Sequence, residues 1–263
     1  MSEHVPDTHR GSIETRDLTI RFGGHVAVNA VSCTFAPGTL TAIVGPNGAG
    51  KTTYFNLISG QLKASAGQVL LNGRDITSLS APARTHAGLG RAFQLTSLFP
   101  HLSVLENIRL ALQSRRQLGL DMWHVWSHHR DLIERAEEVL ESVALAAKRD
   151  VHASALPHGD QRKLEVGMLM ALDPDVYMFD EPTAGMSVDE VPVILDLIRA
   201  LKARRDKTIL LVEHKMDVVR ELADRIIVLH NGTLMADGEP ETVIASPVVQ
   251  QAYLGLAPVE EAA

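Results

Sequence analysis

Apolar and polar positions alternate at the start of the chain. Ile13-Glu14-Thr15-Arg16-Asp17-Leu18-Thr19-Ile20 and the stretch Val26 to Phe35 both follow this pattern, which predicts antiparallel strands with one wetted face. Leu40-Thr41-Ala42-Ile43-Val44 is an apolar run that reads as a buried strand, and the helix-forming stretch Tyr54-Phe55-Asn56-Leu57-Ile58-Ser59 follows closely. Gly67-Gln68-Val69-Leu70-Leu71-Asn72-Gly73 reads as a strand entering a turn. Between about Gln94 and Leu164 the pattern is helical: Ser103 to Gln113, with Ser103 and Glu106 at capping-box spacing, and then Asp131 to Ala147. From Val176 onward strands and helices alternate: Val176 to Phe179, Val188 to Arg204, Thr208 to Val212, Met216 to Ala223 and Ile226 to His230. That alternation predicts a parallel sheet with crossover helices, an α/β fold.

Composition narrows the setting. With 263 residues, 45% of them apolar and 22% charged, the chain suits one large α/β domain or a domain carrying an inserted subdomain. A net charge of −7 argues against nucleic acid as the main partner. The lone Cys33 leaves no internal disulfide and suits a reducing cytoplasm. No apolar run reaches the roughly 18–20 residues that span a bilayer. Met1 to Arg16 is polar, without a signal-peptide core. A role at a membrane would therefore require another chain to cross it.

The chemistry starts at Gly45-Pro46-Asn47-Gly48-Ala49-Gly50-Lys51-Thr52-Thr53, which fits the phosphate-loop pattern G-x-x-x-x-G-K-[ST] at every defined position. It lies where its mechanism needs it, between a predicted strand and a predicted helix. Glycines let the backbone curl so that successive N–H groups point at phosphates, and the helix dipole adds positive charge there. Lys51 is the candidate for the β- and γ-phosphates, and the Thr52 hydroxyl for Mg²⁺. A second motif, Val176-Tyr177-Met178-Phe179-Asp180-Glu181-Pro182, is an apolar strand ending in two carboxylates and a proline. A single carboxylate after a strand can equally be a cap. A pair downstream of a phosphate loop points to triphosphate hydrolysis, with Asp180 holding Mg²⁺ directly or through water and Glu181 activating the attacking water.

Together these motifs resemble the nucleotide-binding subunits of ABC transporters, and the resemblance runs from about Ile13 to Leu254. It implies a P-loop NTPase fold: an N-terminal antiparallel β-subdomain, a mostly parallel core sheet and an inserted α-helical subdomain. On this reading residues 12–254 form one ABC ATPase domain. Its core spans about 12–93 and 165–254, its helical part about 94–164, and residues 1–11 and 256–263 are flexible tails. The resemblance implies that Phe22 stacks on adenine and that Gln94, in Arg91-Ala92-Phe93-Gln94, links the Mg²⁺ and water site to the helical part. It also implies that His214, in Val212-Glu213-His214, senses the γ-phosphate. Leu156-Pro157-His158-Gly159-Asp160-Gln161 lies at the signature motif, where Gly159 would contact the ATP held by a partner subunit, and Ala184-Gly185-Met186-Ser187 follows the carboxylates. Taken singly, Phe22 could be a turn or core aromatic and His214 a surface histidine.

Arg21-Phe22-Gly23-Gly24, the phosphate loop with Phe55-Asn56, Arg91 to Gln94, and Gln251-Ala252-Tyr253-Leu254-Gly255 resemble the branched-chain amino-acid and urea importers, their LivG-type subunits in particular. This implies an ATP- and Mg²⁺-dependent ATPase that drives solute uptake from the cytoplasmic face of the inner membrane. Its partners would be a second ABC ATPase subunit, transmembrane permeases and, indirectly, a periplasmic solute-binding protein; nucleic acid is not expected. A soluble regulatory or assembly ATPase is the alternative, and a small-molecule kinase is a third reading that leaves His214 and the signature region without a purpose.

Two departures stand out. The family signature is Leu-Ser-Gly-Gly-Gln; here Pro157 replaces the serine, His158 the first glycine and Asp160 the glutamine. Pro157 has no N–H to donate, and Asp160 near a helix start is expected to repel a nearby γ-phosphate. Ser187 stands where the family has an aspartate. In Gly119 to His129, Asp121, His124 and His128 would share a face of a helix and could hold a metal. An exposed insertion with Trp123 and Trp126 packed on neighbouring helices is the other reading.

Overall fold

A computed structural model of the chain describes residues 11–92, 98–115 and 130–254. The first strands, β1 (Ile13–Phe22) and β2 (His25–Phe35), form the expected antiparallel pair. β3 (Leu40–Val44) leads through the glycine loop into α1 (Lys51–Ser59), and β4 (Ala66–Leu71) and β5 (Arg74–Asp75) follow. Next come α2 (Ala81–His86), β6 (Leu89–Ala92), α3 (Val104–Arg115), α4 (Arg130–Ser142) and α5 (His158–Leu172). The chain then alternates through β7 (Val176–Asp180), α6 (Val191–Ala203), β8 (Thr208–Val212), α7 (Met216–Leu222) and β9 (Arg225–His230). It continues with β10 (Thr233–Gly238), α8 (Pro240–Ala245) and α9 (Pro247–Leu254). Among the described residues the strands form two sheets. One is antiparallel, in the order β2-β1-β4-β5; the other has the order β10-β9-β3-β8-β7-β6 and is parallel except for the β9–β10 hairpin.

The parallel strands are legible because both of their faces are covered, so β3, β7 and β8 are buried along their whole length and mostly apolar. Side chains on successive residues point to opposite faces. Val176 and Met178 of β7, with Leu210 and Val212 of β8, meet Tyr54, Phe55, Leu57 and Ile58 of α1. Tyr177 and Phe179, with Ile209 and Leu211, meet Ile194, Ile198 and Leu201 of α6 and share one apolar core with α3, α4 and α5. Each fully buried Leu, Ile or Phe contributes roughly 1.5–3 kcal/mol. Burial of this kind therefore outweighs capping in holding α1, whose N-cap Gly50 makes no side-chain cap bond.

Three boundaries differ from expectation. The helix expected to reach Ala147 ends at Ser142. Ala144 turns left-handed (φ 56°), Leu145 N–H donates to Leu140 O and Ala144 N–H to Glu141 O. This is a Schellman cap without glycine, which the sequence does not advertise. The helix expected from Val188 starts at Val191, leaving Val188 88% exposed, because Ser187 and Glu190 form the capping contact first. Gly11, placed in the flexible tail by sequence, donates to Asn72 Oδ1 and accepts from the Thr208 hydroxyl. The predicted capping box of α3 is half made: Ser103 Oγ accepts from Glu106 N–H, while the Glu106 carboxylate turns to Arg109.

Candidate nucleotide site

The phosphate loop joins β3 to α1 in a path that only glycine permits. Gly50 has φ 95°, and a Cβ there would lie 2.6 Å from the Ala27 carbonyl oxygen of β2. At Gly45 a Cβ would run into the Leu229 carbonyl oxygen of β9. The loop is thus pinned between the antiparallel sheet and the core sheet, and Gly232 N–H donates to Ala49 O. Pro46, Asn47 and Gly48 form its outer curve, and Thr52 and Thr53 sit half-buried in the first turn of α1. The Lys51 ammonium is buried and folds back to donate to the carbonyls of Gly45 (2.6 Å) and Pro46 (3.0 Å). Burial pulls its pKa below lysine's ordinary value, against the opposing pull of Glu181 and Asp180.

Asp180 and Glu181 arrive at the C-terminal end of β7, where parallel α/β sheets present ligand sites. Asp180 is nearly buried and pairs through Oδ2 with the Arg91 guanidinium at 2.8 Å. Arg91, at the end of neighbouring β6, also donates to Asn56 Oδ1 and Ser59 Oγ of α1 and lies over the Phe55 ring. One cation thereby ties the helix behind the phosphate loop to the carboxylate facing it. Burial pulls the Arg91 pKa down, and Asp180 counters it. The Thr52 hydroxyl and the Asp180 carboxylate are hard oxygen donors, a set that suits Mg²⁺.

Glu181 adopts φ 50°, a left-handed conformation that costs a non-glycine residue on the order of 1 kcal/mol. Its N–H donates to Val212 O at 2.9 Å. His214, just past β8, places Nδ1 3.5 Å from Glu181 Oε1. Beneath them lies Glu213, whose carboxylate accepts from Thr183 Oγ1 at 2.7 Å and from the His214 N–H at 2.9 Å. Nothing in the sequence gives Arg91 or Thr183 a role, and Glu213 shows only as a charge that follows the apolar strand β8.

The remaining expected site residues are more dispersed. Phe22 is 50% exposed at the β1–β2 turn, in register with His25. Gln94 lies outside the described residues, as do Asp121, His124, His128 and the flanking tryptophans. Among the described residues no group of three or more His, Cys, Asp or Glu could hold a metal ion.

At the signature, Pro157 is the N-cap of α5, and Gly159 and Asp160 are buried. The Asp160 carboxylate does not stand out towards a phosphate as expected. It pairs with Lys148 and, at 3.0 Å, with Lys163. Burial works to raise its pKa, and the two lysines outweigh it and hold it low. Glu190 lies where a Cβ on Gly159 would fall, and the His158 ring lies against Gly185.

A strand, a glycine cradle with a buried lysine, a helix and two carboxylates at the end of β7, with β8 between it and β3, define a P-loop nucleotide-binding protein. The family model for ABC transporters matches residues 28–184, and the chain belongs to that family. It is 37% identical over 248 residues to the high-affinity branched-chain amino acid transport ATP-binding protein LivG of Escherichia coli, covering 92% of this chain and 97% of that protein. It is 36% identical over 251 residues to BraF of Pseudomonas aeruginosa, a protein of the same description, covering 94% and 98%. Among solved structures, an ATP-binding cassette of an ABC transporter in its ADP conformation superposes with a TM-score of 0.78. It is 30% identical, over 93% of this chain and 98% of that one.

Proposed function

We propose that this chain is the ATP-hydrolysing subunit of an ABC importer for branched-chain or related hydrophobic amino acids. It would work as one half of an ATPase pair seated on transmembrane permeases at the cytoplasmic face of the inner membrane. The observation that carries the ATPase reading is the meeting, at the C-terminal ends of the inner strands β3, β7 and β8, of the Lys51 loop, Asp180-Glu181 and His214. The likeness to LivG and BraF supports the solute class and the permease partners. Among the described residues no helix is long and apolar enough to cross a membrane, which fits a subunit that docks on others.

In this reading the loop N–H groups from Gly45 to Thr53 cradle the phosphates. Lys51 exchanges its bonds to the Gly45 and Pro46 carbonyls for bonds to the β- and γ-phosphates. Phe22 stacks on the adenine. Thr52, Asp180 and Gln94 would hold Mg²⁺, Asp180 directly or through water, and the ion supplies charge neutralisation at the phosphate oxygens. Glu181 orients a water and takes its proton as the water oxygen attacks the γ-phosphorus. The bond to the β–γ bridging oxygen breaks, giving ADP and phosphate. His214 holds Glu181 and senses the γ-phosphate, and Gly159 of this chain would close over the nucleotide held by the partner subunit.

Reconstitution in vesicles with its permeases, the second ATPase subunit and the periplasmic solute-binding protein tests this reading. ATP on the face that carries the ATPase subunits should drive leucine transport towards that face. Glu181→Gln should bind ATP with undiminished affinity while turnover falls by about a hundredfold or more, as expected for loss of a group acting only in the transition state. Hydrolysis unaffected by Glu181→Gln overturns the assignment of Glu181. ATP-driven vesicles that take up no hydrophobic amino acid overturn the solute class.

A further inference from the structure

We propose that Glu213 is a positioning residue that fixes Glu181 and His214 relative to each other, through a buried clamp between the two loops that carry them. The proposal rests on the ATPase reading above and names a part of that site with no direct contact to the reacting atoms.

Glu213 closes the apolar strand β8 and is 1% exposed. An ionised carboxylate in such a place is costly unless each oxygen finds a donor. Both do, and the donors come from different loops. Oε1 accepts from the hydroxyl of Thr183, two residues after Glu181 on the loop leaving β7. Oε2 accepts from the backbone N–H of His214. Lys215 Nζ donates to Thr183 Oγ1 at 3.3 Å. That directs the single hydroxyl proton of Thr183 onto Glu213, since a hydroxyl accepting from an ammonium must donate elsewhere. The order is Lys215, Thr183, Glu213, His214.

The residues above this chain need outside support. Glu181 holds a left-handed backbone and its own N–H is tied to Val212 O, one residue before Glu213. The side chains of Glu181 and His214 are 36% and 48% exposed, so packing does not fix their 3.5 Å approach. Small displacements of a positioned base are expensive in rate. The clamp supplies the rigidity that the exposed pair lacks, and it does so without touching the Lys51 loop. It should therefore govern turnover and leave nucleotide capture alone.

Glu213→Gln replaces one acceptor oxygen by an NH₂, which must face either the His214 N–H or the Thr183 hydroxyl. Thr183→Val keeps the shape and removes the donor, and Thr183→Ser keeps the donor. In the reconstituted transporter, Glu213→Gln and Thr183→Val should lower kcat by about tenfold to a hundredfold, the scale of one lost bond to a charged group. The KM for ATP should stay within about twofold, because the phosphate loop is untouched. Thr183→Ser should recover most of the rate. Hydrogen exchange at the His214 amide should accelerate in the two damaging variants and not in Thr183→Ser.

Unchanged kcat in both damaging variants overturns the proposal. So does a parallel fall in kcat, ATP affinity and melting temperature that Thr183→Ser fails to reverse, since that is the behaviour of a plain core residue. A wild-type complex without ATPase activity means instead that the functional reading has failed. The exchange of the His214 amide then decides the clamp by itself: faster exchange in Glu213→Gln supports it and unchanged exchange overturns it.

Discussion

Arg91 and Asp180 are paired almost out of reach of water, with side chains 8% and 7% exposed. Removing one member of such a pair leaves the other charge buried and uncompensated, at a cost of about 3–5 kcal/mol. Arg91→Met should therefore destabilise the protein on that scale, read as a lower urea midpoint at unchanged m-value. Arg91→Lys should fall between the two. It keeps the charge and loses the fork that reaches Asn56 and Ser59 and the stacking on Phe55. Equal midpoints for wild type and Arg91→Met would show that the pair is solvated and that its charge is not what holds β6 to α1. From sequence, Arg91 is only a neighbour of the motif read for Gln94, and nothing local points to a partner 89 residues further on. Lys51, Asp180 and Glu181 could be singled out because spacing and strand context point to their chemistry, whereas His214 was singled out by the family resemblance. The groups that hold them were not, because buried partners are set by the fold.

Helix α5 and strand β7 meet at an element-scale device of the same kind. Asp173 caps α5 in a left-handed conformation (φ 45°), and its carboxylate pairs with Lys207, Arg204 and Arg115. Burial alone would raise its pKa; Lys207, then Arg204 and Arg115, outweigh that and hold it below the usual carboxylate value. A group whose pKa is depressed on folding stabilises above its unfolded pKa of about 4, and the contribution is lost as pH falls through the folded value. Asp173→Asn keeps a residue that tolerates the left-handed cap. It should lower stability by about 1.5–3 kcal/mol at pH 7, and that difference should shrink towards zero as the pH drops below about 4. Chemical denaturation at a series of pH values measures it, and a pH-independent difference would point to packing instead of charge. At this scale the parallel strands were readable from continuous apolar runs, whereas β6 and β10 were not: four residues containing Arg91, and a half-exposed edge strand, leave too weak a pattern. The end of α4 escaped for a related reason, since Ala144 takes the place of the usual glycine.

For the whole molecule, the consequential departure is the signature at the start of α5. Pro157 supplies no hydroxyl and no N–H. The Asp160 charge is spent inward on Lys148 and Lys163, so the repulsion of a partner's γ-phosphate expected from sequence is weakened at its source. The Glu190 carboxylate beside Gly159 nevertheless adds negative charge where an incoming phosphate would approach. What remains for a partner's nucleotide is His158 and the backbone of the first turn, against a serine hydroxyl bond of roughly 1.5–3 kcal/mol in the family pattern. The Lys51 loop and Glu181 of this chain carry no such deficit. In a pair of unlike ATPase subunits the two composite sites should then be unequal, and the one built on this chain's loop should carry the turnover. Glu181→Gln here should remove nearly all of the ATPase activity of the assembled transporter, about a hundredfold or more, as loss of the working base does. The matching change in the partner should cost less than about twofold, because its site is already slow. Equal losses from the two changes would sink the asymmetry, and the altered signature would then have to be as competent as the family's serine-containing one.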